Sequence, residues 1–237
     1  MSAQVWRVSD VESFRQWEQD EDLGEAWLLT RLRHEDETTP AQAAGTALHR
    51  ALELAHEGEA DELAVGDYLF RFPADAVVVC PAIRERRGAR RYMVDGQPIV
   101  ISGQVDGLDG VTIYDHKSTA RLDLERYLEG YQWRLYLHIF GAARFVWQVF
   151  VLAPGGHVPE GEAEYWEDGR RVYVVREVHQ LEQHRYPAME ADCQALVERF
   201  ARFVRERVEV AASTTAAAGP DSWPSTPAWT STSRPAW

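Results

Sequence analysis

Two aspartates and a lysine, Asp106, Asp115 and Lys117, are the residues whose types and spacing are best suited to chemistry. They lie within one stretch of mostly apolar, β-favouring sequence. Two carboxylates about 7–8 Å apart on neighbouring strands can close on one hard cation, because magnesium takes oxygen ligands at about 2.0–2.1 Å. A lysine one pleat further along would lie beside whatever that cation binds. The pattern therefore indicates a metal site with a lysine next to it.

The stretch 101–117 is predicted to be a β-hairpin that brings these three side chains together. Apolar runs flank Asp109-Gly110, and an Asp-Gly pair between such runs is the strongest short-range signal for a hairpin. A turn there sets three pairs of residues opposite each other: Leu108 with Val111, Asp106 with Ile113, and Gln104 with Asp115. Because side chains alternate along a strand, Asp106, Asp115 and Lys117 would share one face with Ile113, and the two aspartates would form a diagonal pair.

This pattern alone leaves two interpretations open, since many hairpins carry aspartate and lysine on a solvated face. The sequence around these residues is mostly apolar and leaves little polar chain for such a face. Charged groups within a central sheet are costly to bury unless they are paired or bind a metal. The rest of the chain has to decide between a metal site and an ordinary surface.

Length and composition indicate one globular domain of ordinary size with an appendage. The chain has 237 residues, of which 45% are hydrophobic and 27% charged, and this length can bury a substantial core. No run approaches the roughly 20 consecutive apolar residues of a membrane helix, and the N-terminus lacks the pattern of a signal peptide. Cys80 and Cys193 are expected to be reduced core residues. We therefore expect a cytoplasmic protein.

Net charge argues at first against a nucleic-acid partner, because the formal charge at pH 7 is −13. Binding depends on where the positive residues cluster rather than on their total. Five arginines fall within eight positions around Gly88, namely Arg84, Arg86, Arg87, Arg90 and Arg91. We predict an arginine-dense loop here. Such a loop could bind phosphates locally, or it could serve solubility alone.

The spacing of apolar residues predicts a succession of helices and strands. Helices are expected over 8–34 with Ser9 as N-cap, 41–56, 122–140 and 188–208. Strands are expected over 68–72, 76–80, 82–87, 91–94, 98–108, 144–152 and 171–178, with a second hairpin turn at Asp95-Gly96. After a folded domain of 1–210, the Ala, Ser, Thr, Pro and Trp composition of 211–237 predicts a disordered tail.

Two of the predicted helices carry polar residues four positions apart, which places them on one helix face. His49 and Glu53 share a face, with Gly45 one turn earlier. Glycine within a helix costs about 1 kcal/mol relative to alanine, so Gly45 calls for a reason such as close packing. A single helical histidine is more often structural than a ligand, but the small apolar residues around His49 favour an inward position. Gln132 and Tyr136 share a face of the helix that follows the hairpin.

The order of these groups resembles the motifs of the PD-(D/E)XK nuclease superfamily, and specifically its RecB-like exonuclease branch, which includes CRISPR-associated and phage recombination exonucleases. The matching elements are Gly45–His49, Gly103–Asp106, Asp115–Lys117 and Gln132–Tyr136, within about 9–152. The resemblance implies an α/β (α+β) fold with a restriction-endonuclease-like core, in which helices flank a central mixed β-sheet.

The resemblance also implies a metal site and its ligands. His49, Asp106 and Asp115 would bind a catalytic Mg²⁺ or Mn²⁺, together with the backbone carbonyl of His116. Lys117 would orient or help to deprotonate the attacking water and stabilise charge on the phosphate. These roles agree with the general chemistry of metal-assisted hydrolysis.

Further roles and two departures follow from the same resemblance. Gln132 and Tyr136 would brace the catalytic strand or contact the DNA backbone, and Glu85 would correspond to an acidic position of some members. CRISPR-associated members often hold an iron–sulfur cluster through four cysteines, whereas this chain has two cysteines, so we expect no cluster. A Walker-type nucleotide-binding motif is also missing, so any unwinding of DNA would need a separate protein.

The function implied by the resemblance is a metal-dependent DNA exonuclease acting in recombination, repair or phage DNA processing. Its expected partners are DNA and a single-strand annealing protein. Two alternatives stay open on the same fold. One is a structure-specific endonuclease, and the other is a non-catalytic DNA-binding or adaptor protein.

Overall fold

The computed structural model describes residues 4–35, 37–55, 61–154 and 166–212, which form one sheet with helices packed on it. The helices are α1 (Val8–Gln19), α2 (Glu25–Arg33), α3 (Pro40–Leu54), α4 (Leu124–Glu129), α5 (Gln132–Phe140) and α6 (Met189–Ala212). The strands are β1 (Gln4–Arg7), β2 (Glu62–Val65), β3 (Tyr68–Arg71), β4 (Ile83–Val94), β5 (Gln97–Asp109), β6 (Thr112–Thr119), β7 (Arg144–Pro154), β8 (Trp166–Glu167) and β9 (Arg170–His184).

The described strands form one mixed sheet in the order β1-β5-β6-β7-β9-β3-β2, with β4 paired to β5 and β8 paired to β9. Strand β5 is its branch point. Antiparallel β4 follows one edge of β5 along nearly its whole length. On the other edge, parallel β1 pairs with Ile99–Ser102, and antiparallel β6 pairs with Gly107–Asp109. The structure confirms the predicted central mixed sheet with flanking helices.

Between the segments of β5 that pair with β1 and β6, residues 103–106 have no described strand partner on that edge. Backbone groups that lack a strand partner have to find side chains or solvent instead. The sheet therefore opens at the position of Asp106.

Two apolar clusters fix the helices on the sheet. Helices α1, α5 and α6 pack on one face, where the buried residues include Phe14, Ile101, Leu135, Phe145 and Phe200. Helix α3 packs with the second cluster, whose buried residues include Leu48, Phe70 and Phe150. Burying one such side chain contributes about 1.5–3 kcal/mol, so these contacts hold α3 and α5 firmly against the strands.

The predicted helix 8–34 is two helices in the structure. The segment between α1 and α2 is polar, and Gly24 starts α2 from extended backbone. Ser9 is not the N-cap, because α1 begins after Arg7. The N–H of Arg7 donates to Oδ2 of Asp10 at 2.7 Å, so a carboxylate inside the first turn satisfies a group that the helix leaves unpaired.

The predicted helix 122–140 is likewise divided, into α4 and α5. The break falls at Gly130, which has extended backbone (φ −54°, ψ 149°). Nη1 of Arg134 donates to the carbonyl of Glu129 at 2.8 Å and to that of Gly130 at 2.5 Å, so a side chain replaces the helical hydrogen bonds that are lost there. The helices predicted over 41–56 and 188–208 are confirmed as α3 and α6.

The predicted arginine loop is wrong, because all five arginines belong to one continuous strand, β4 (Ile83–Val94). Gly88 lies within this strand rather than in a turn. A Cβ atom on Gly88 would come within 2.8 Å of Cζ of Phe140, so the glycine lets α5 approach the strand closely.

The predicted strand 76–80 is also wrong, since this segment has no regular structure. The buried side chain of Gln148 takes the place of a strand partner there. Its Oε1 accepts the N–H of Val79 at 2.8 Å, and its Nε2 donates to the carbonyl of the same residue at 2.7 Å. The segment is thus held beside β7 by one amide group.

One of the two predicted hairpin turns is confirmed and the other is displaced. Asp95 and Gly96 form the turn between β4 and β5, both with positive φ (51° and 76°), as an Asp-Gly hairpin requires. Between β5 and β6, Asp109 pairs with Thr112, so Gly110 and Val111 are the turn residues. The observed register differs from the predicted one by two residues, and a shift of two leaves the alternation of the paired residues unchanged. The alternation of apolar residues therefore cannot distinguish the two registers.

In the described part of the chain, no helix combines the length and apolar character needed to cross a membrane. Helix α6 continues to Ala212, slightly past the predicted end of the folded domain at 210. The rest of the predicted tail, 213–237, lies outside the described residues.

Candidate active site

Asp115 and Lys117 on β6 form an ion pair through Oδ2 and Nζ. The side chain of Asp115 is 3% exposed, whereas that of Lys117 is 30% exposed. Asp115 lies opposite Trp147 on β7, and Nζ of Lys117 is 5.3 Å from the centroid of the Trp147 ring. The ring face thus supports the ammonium group by a cation–π interaction. The two charged side chains share a face, and the lysine keeps access to solvent.

The charges of this pair are set by burial and by each other. Burial raises the pKa of Asp115 to about 6, although the charge of Lys117 opposes the rise. Burial lowers the pKa of Lys117, but the charges of Asp115 and Asp106 outweigh it and the net shift is upward. Lys117 is therefore an ammonium ion at neutral pH. Oδ2 of Asp115 is buried, and its partner is the ammonium group of Lys117.

Asp106 lies at the opening of the sheet and replaces the missing strand partner with its carboxylate. Oδ2 of Asp106 accepts the backbone N–H of His116 at 2.6 Å, and Oδ1 is 3.3 Å from Nδ1 of His49. Burial raises the pKa of Asp106, but the hydrogen bond and charge of His49, together with Lys117, lower it on balance. Asp106 is an anion that also raises the pKa of Asp115, so the two carboxylates are electrostatic neighbours.

The approach of Asp106 to Asp115 does not come from a regular cross-strand pair. Val105 and Leu108 pack with the same apolar cluster although they are three residues apart, so the alternation of side chains is interrupted between them. The last paired residue on this side is Gly107, opposite Tyr114. The predicted diagonal pairing is therefore wrong, although the charges of the two carboxylates interact.

Helix α3 brings His49 to Asp106, as the sequence predicts. Gly45 explains how closely this helix approaches β6, because a Cβ atom there would come within 2.5 Å of Oγ of Ser118. A cleft of about 460 Å³ opens beside this contact. It is lined by Ala41, Gln42, Gly45, Thr46, His49 and Ser118. His49 thus connects Asp106 to an open cleft.

The His116 side chain is buried, and its ring centroid lies 6.0 Å from that of His49 in an edge-to-face arrangement. It is 4% exposed, and its Nε2 is 3.2 Å from Nε2 of Gln148. Burial lowers the pKa of His116 to about 4, which leaves the ring neutral at pH 7. The backbone N–H of His116 donates to Asp106.

Gln132 and Tyr136 are brought to the strand that carries Asp106. The Tyr136 hydroxyl interacts with the Gln132 side chain and with the backbone of Gln104, and burial raises the pKa of this hydroxyl strongly. The ring fills the space above Gly103, where a Cβ atom would collide with its Cε1. Tyr136 is 7% exposed, so this pair braces β5 from the protein side.

The five arginines of β4 have different partners. Arg84 donates from Nε to the carbonyl of Pro81 at 2.9 Å and also contacts backbone carbonyls at the end of α3. Arg90 donates to the carbonyl of His138 at 3.0 Å. Arg87 donates from Nε to Oε1 of Gln104 at 2.7 Å and is exposed. Arg86 and Arg91 are exposed as well. Two of the five predicted DNA contacts are therefore engaged in holding helix ends and loops.

Glu85 is a further acidic residue at this place. It has φ 51°, which is uncommon for a residue other than glycine, and Nε2 of Gln104 donates to its Oε2. Burial raises the pKa of Glu85, and the charge of Asp106 adds to the rise. The resemblance alone pointed to Glu85, because a strand of alternating charged residues does not indicate which of them faces a site.

Trp147 and Gln148 were not recognised from the sequence as parts of the site. Both lie in the apolar run of β7. The one feature of this run that could have drawn attention is the polar amide of Gln148 among valines and aromatic residues. A fully buried glutamine needs hydrogen-bond partners, so such a residue indicates a position of structural importance.

The residues present fit a divalent cation by their chemistry. Within the described ranges, no three His, Cys, Asp or Glu side chains already converge as a metal-binding group. Nδ1 of His49 is nevertheless 3.3 Å from Oδ1 of Asp106, and the charges of Asp106 and Asp115 interact. Oxygen-rich sets of this kind suit Mg²⁺ and Mn²⁺. Asp106, Asp115 and His49 are the side chains that could hold such an ion.

Comparison with known proteins finds no matching family model and no similar curated protein. Among solved structures, the protein SSO0001 aligns over 86% of this chain and 78% of its own, with 14% identity and a TM-score of 0.48. The alkaline exonuclease LHK-Exo from Laribacter hongkongensis aligns over 88% of this chain and 92% of its own, with 14% identity and a TM-score of 0.47. The structure of LHK-Exo in complex with dAMP aligns over 88% of this chain and 91% of its own, with 12% identity and a TM-score of 0.46. At this level of similarity the neighbours do not identify the activity, which has to follow from the chain's own residues.

Proposed function

We propose that the chain is a metal-dependent DNA exonuclease that hydrolyses phosphodiester bonds in recombination, repair or phage DNA processing. The observation that carries the proposal is the juxtaposition of the Asp115–Lys117 ion pair with Asp106 and its contact to His49, at the opening of the sheet. A solvated surface would not explain the burial of Asp115. Buried ionisable groups with strongly shifted pKa values are typical of functional sites.

The residues that would hold Mg²⁺ or Mn²⁺ are Asp106, Asp115 and His49, with the backbone carbonyl of His116. When bound, such an ion makes water more acidic and offsets negative charge that develops on the phosphate. Asp106 and Asp115 supply the negative charge that favours a cation over a neutral ligand. His49 joins them from α3, whose packing against Ser118 fixes its position.

Lys117 contributes a positive charge that the protein holds in place. The Asp115 carboxylate and the Trp147 ring fix its ammonium group, and the net upward shift of its pKa keeps it protonated. An ammonium group has three N–H donors and no acceptor, so here it orients water and stabilises anionic phosphate oxygens rather than accepting a proton. Gln132 and Tyr136 keep β5, and with it Asp106, in position.

Digestion of end-labelled linear DNA in Mg²⁺ or Mn²⁺ tests this proposal. Wild-type protein should release nucleotides, and Asp115→Asn should lower the rate at least a hundredfold, which corresponds to about 2.7 kcal/mol of transition-state stabilisation. Asp109→Asn is the matched control, because it removes the same charge from the end of the same hairpin. Equal, background-level digestion by wild type and Asp115→Asn would contradict the proposal.

Closed circular DNA separates exonuclease from endonuclease activity. An exonuclease leaves circles intact, whereas linearisation by wild type but not by Asp115→Asn would identify a structure-specific endonuclease on the same site. The proposal also includes a single-strand annealing protein as the partner in recombination. Co-purification tests that part separately. An annealing protein should be recovered together with the full chain, and it should be missing from a control purification that lacks the chain.

A further inference from the structure

One face of β1, β4 and β5 is left open by the helices that pack on these strands. Helices α1, α5 and α6 contact the face that carries Tyr92, Ile99 and Ile101. The residues that alternate with these point the other way and are exposed or half-exposed, with Val5 at 65% and Met93 at 55%. This open face consists of Val5, Arg7, Arg87, Ala89, Arg91, Met93, Val100, Ser102 and Gln104.

The pairing of the strands arranges the open face in rows. The first row is Arg91, Val100 and Val5, the second is Ala89, Ser102 and Arg7, and the third begins with Arg87 and Gln104. Successive rows lie two residues, or about 7 Å, apart along the strands. Strand β5 supplies a floor of uncharged side chains, with arginines of β4 on one side and Arg7 of β1 on the other. Each row therefore brings one guanidinium group to the face.

The three arginines of this face are exposed and lack an ion-pair partner among the described residues. Of these three side chains, that of Arg87 donates a hydrogen bond, from Nε to Gln104, and its terminal N–H groups take no part in this bond. The whole chain carries a net charge of −13, so a run of unpaired cations on one face is a local feature. Such a run attracts a polyanion with regularly spaced charges.

The open face leads to the candidate active site. Beyond Arg87 and Gln104 lie Glu85 and Asp106, and Gln104 donates to Glu85. The charges of Glu85 and Asp106 interact, so the row of carboxylates follows directly on the rows of arginines. A chain bound along the arginines would thus reach Asp106 end-on.

We propose that the open face binds one strand of single-stranded DNA and leads it to Asp106. This rests on the proposed nuclease function. Phosphates lie against Arg91, Arg7 and Arg87, which stand in successive rows about 7 Å apart and alternate between the two sides of β5. Bases lie against the apolar side chains of Val5 and Met93. A duplex hides the faces of its bases, so exposed apolar groups beside cations favour an unpaired strand.

Binding of fluorescein-labelled oligodeoxythymidine, followed by anisotropy in EDTA, tests the proposal without any cleavage. The variant is Arg7→Gln/Arg91→Gln, because no described residue forms a hydrogen bond or ion pair with either guanidinium group whose loss would unfold the protein. We expect its Kd to rise about tenfold, and the slope of log K against log salt to fall by about 1.4, or roughly 0.7 for each phosphate contact. Arg7→Lys/Arg91→Lys should restore the wild-type slope.

Two single variants show whether the effect belongs to this face. Arg176→Gln removes an exposed charge from β9, which β6 and β7 separate from β5, and should bind like wild type. Arg86 lies on β4 next to Arg87 but alternates to the opposite face. An Arg86→Gln loss as large as that of Arg91→Gln would overturn the assignment to the open face.

The remaining outcomes separate this proposal from the nuclease function. Unchanged binding by the double variant, or tighter binding of a duplex than of the single strand, would overturn the binding face even if Asp115→Asn abolishes cleavage. Loss of binding by the double variant, together with background-level cleavage by wild type, would support the face and contradict the nuclease function. If the double variant loses binding and Asp115→Asn loses the cleavage that wild type shows, both the binding face and the nuclease function are supported.

Discussion

Nζ of Lys117 lies 5.3 Å from the centroid of the Trp147 ring, and Trp147 is 2% exposed. The ring is itself anchored, because its Nε1 donates to the carbonyl of Tyr127 at 3.2 Å. A flexible lysine side chain is thereby confined between an aromatic face and the Asp115 carboxylate. Trp147 is buried, so it positions the ammonium group from within the protein.

Replacing Trp147 should therefore lower kcat more than it raises KM. A cation–π interaction contributes about 0.5–2 kcal/mol, so Trp147→Leu should have a kcat about tenfold below that of Trp147→Phe, which keeps an aromatic face. Steady-state digestion of linear DNA gives both constants, and thermal melting shows whether both variants are folded. Equal kcat values for folded Phe and Leu variants would mean that the ring only fills space.

Gly103 should tolerate no larger side chain, because its Cα faces the Tyr136 ring and lies near Val8. Gly103→Ala should lower the free energy of unfolding by about 1–3 kcal/mol, as overpacking does, and urea denaturation measures it. Gly24→Ala is the control, since no heavy atom lies within 4 Å of the added Cβ. In the double variant Gly103→Ala/Tyr136→Leu the two costs should not add, because the smaller side chain relieves the contact. Additive costs would show that the ring does not limit Gly103.

His138 should make stability depend on pH. It is 4% exposed, its Nδ1 is 3.0 Å from the Tyr92 hydroxyl, and burial lowers its pKa below the ordinary value of 6.5, against the charge of Glu190. The unfolded chain then binds the proton more tightly than the folded protein does. The free energy of unfolding should therefore fall as the pH drops below about 6.5.

The contribution of His138 is measured by the difference between wild type and His138→Gln in urea denaturation from pH 7.5 to pH 5. The variant should lose less stability over this range, whereas His184→Gln, whose side chain is 66% exposed, should follow wild type. Parallel curves for wild type and His138→Gln would refute the assignment.

Much of this site could be predicted because single elements carry its groups. The spacing of His49 from Gly45 and of Tyr136 from Gln132 is local to one helix each, so helical periodicity sets it. The spacing of Asp115 and Lys117 is local to one strand. The register of Asp106 is not local: a shift by two residues conserves the apolar pattern, so the choice depends on packing across the sheet.

The long-range features could not be predicted for the same reason. Whether β4 is a loop or a strand depends on its pairing with β5, and the arginine content of this stretch masked its alternation. Strands β1 and β6 share one edge of β5, and the sheet opens at Asp106 between them. This arrangement requires a strand at 4–7, which is too short to stand out in the sequence. Close contacts between elements, such as that of Trp147 with Lys117, follow only from the three-dimensional arrangement.

Calorimetric titration of Mn²⁺ tests the central claim most directly, since the proposed chemistry requires Asp106 and Asp115 to hold a metal ion. Wild type and the control Asp109→Asn should bind Mn²⁺ at the site, and Asp106→Asn should lose that binding while melting as a folded protein. Equal Mn²⁺ binding by wild type and folded Asp106→Asn, or none by either, would contradict a metal site at the opening of the sheet.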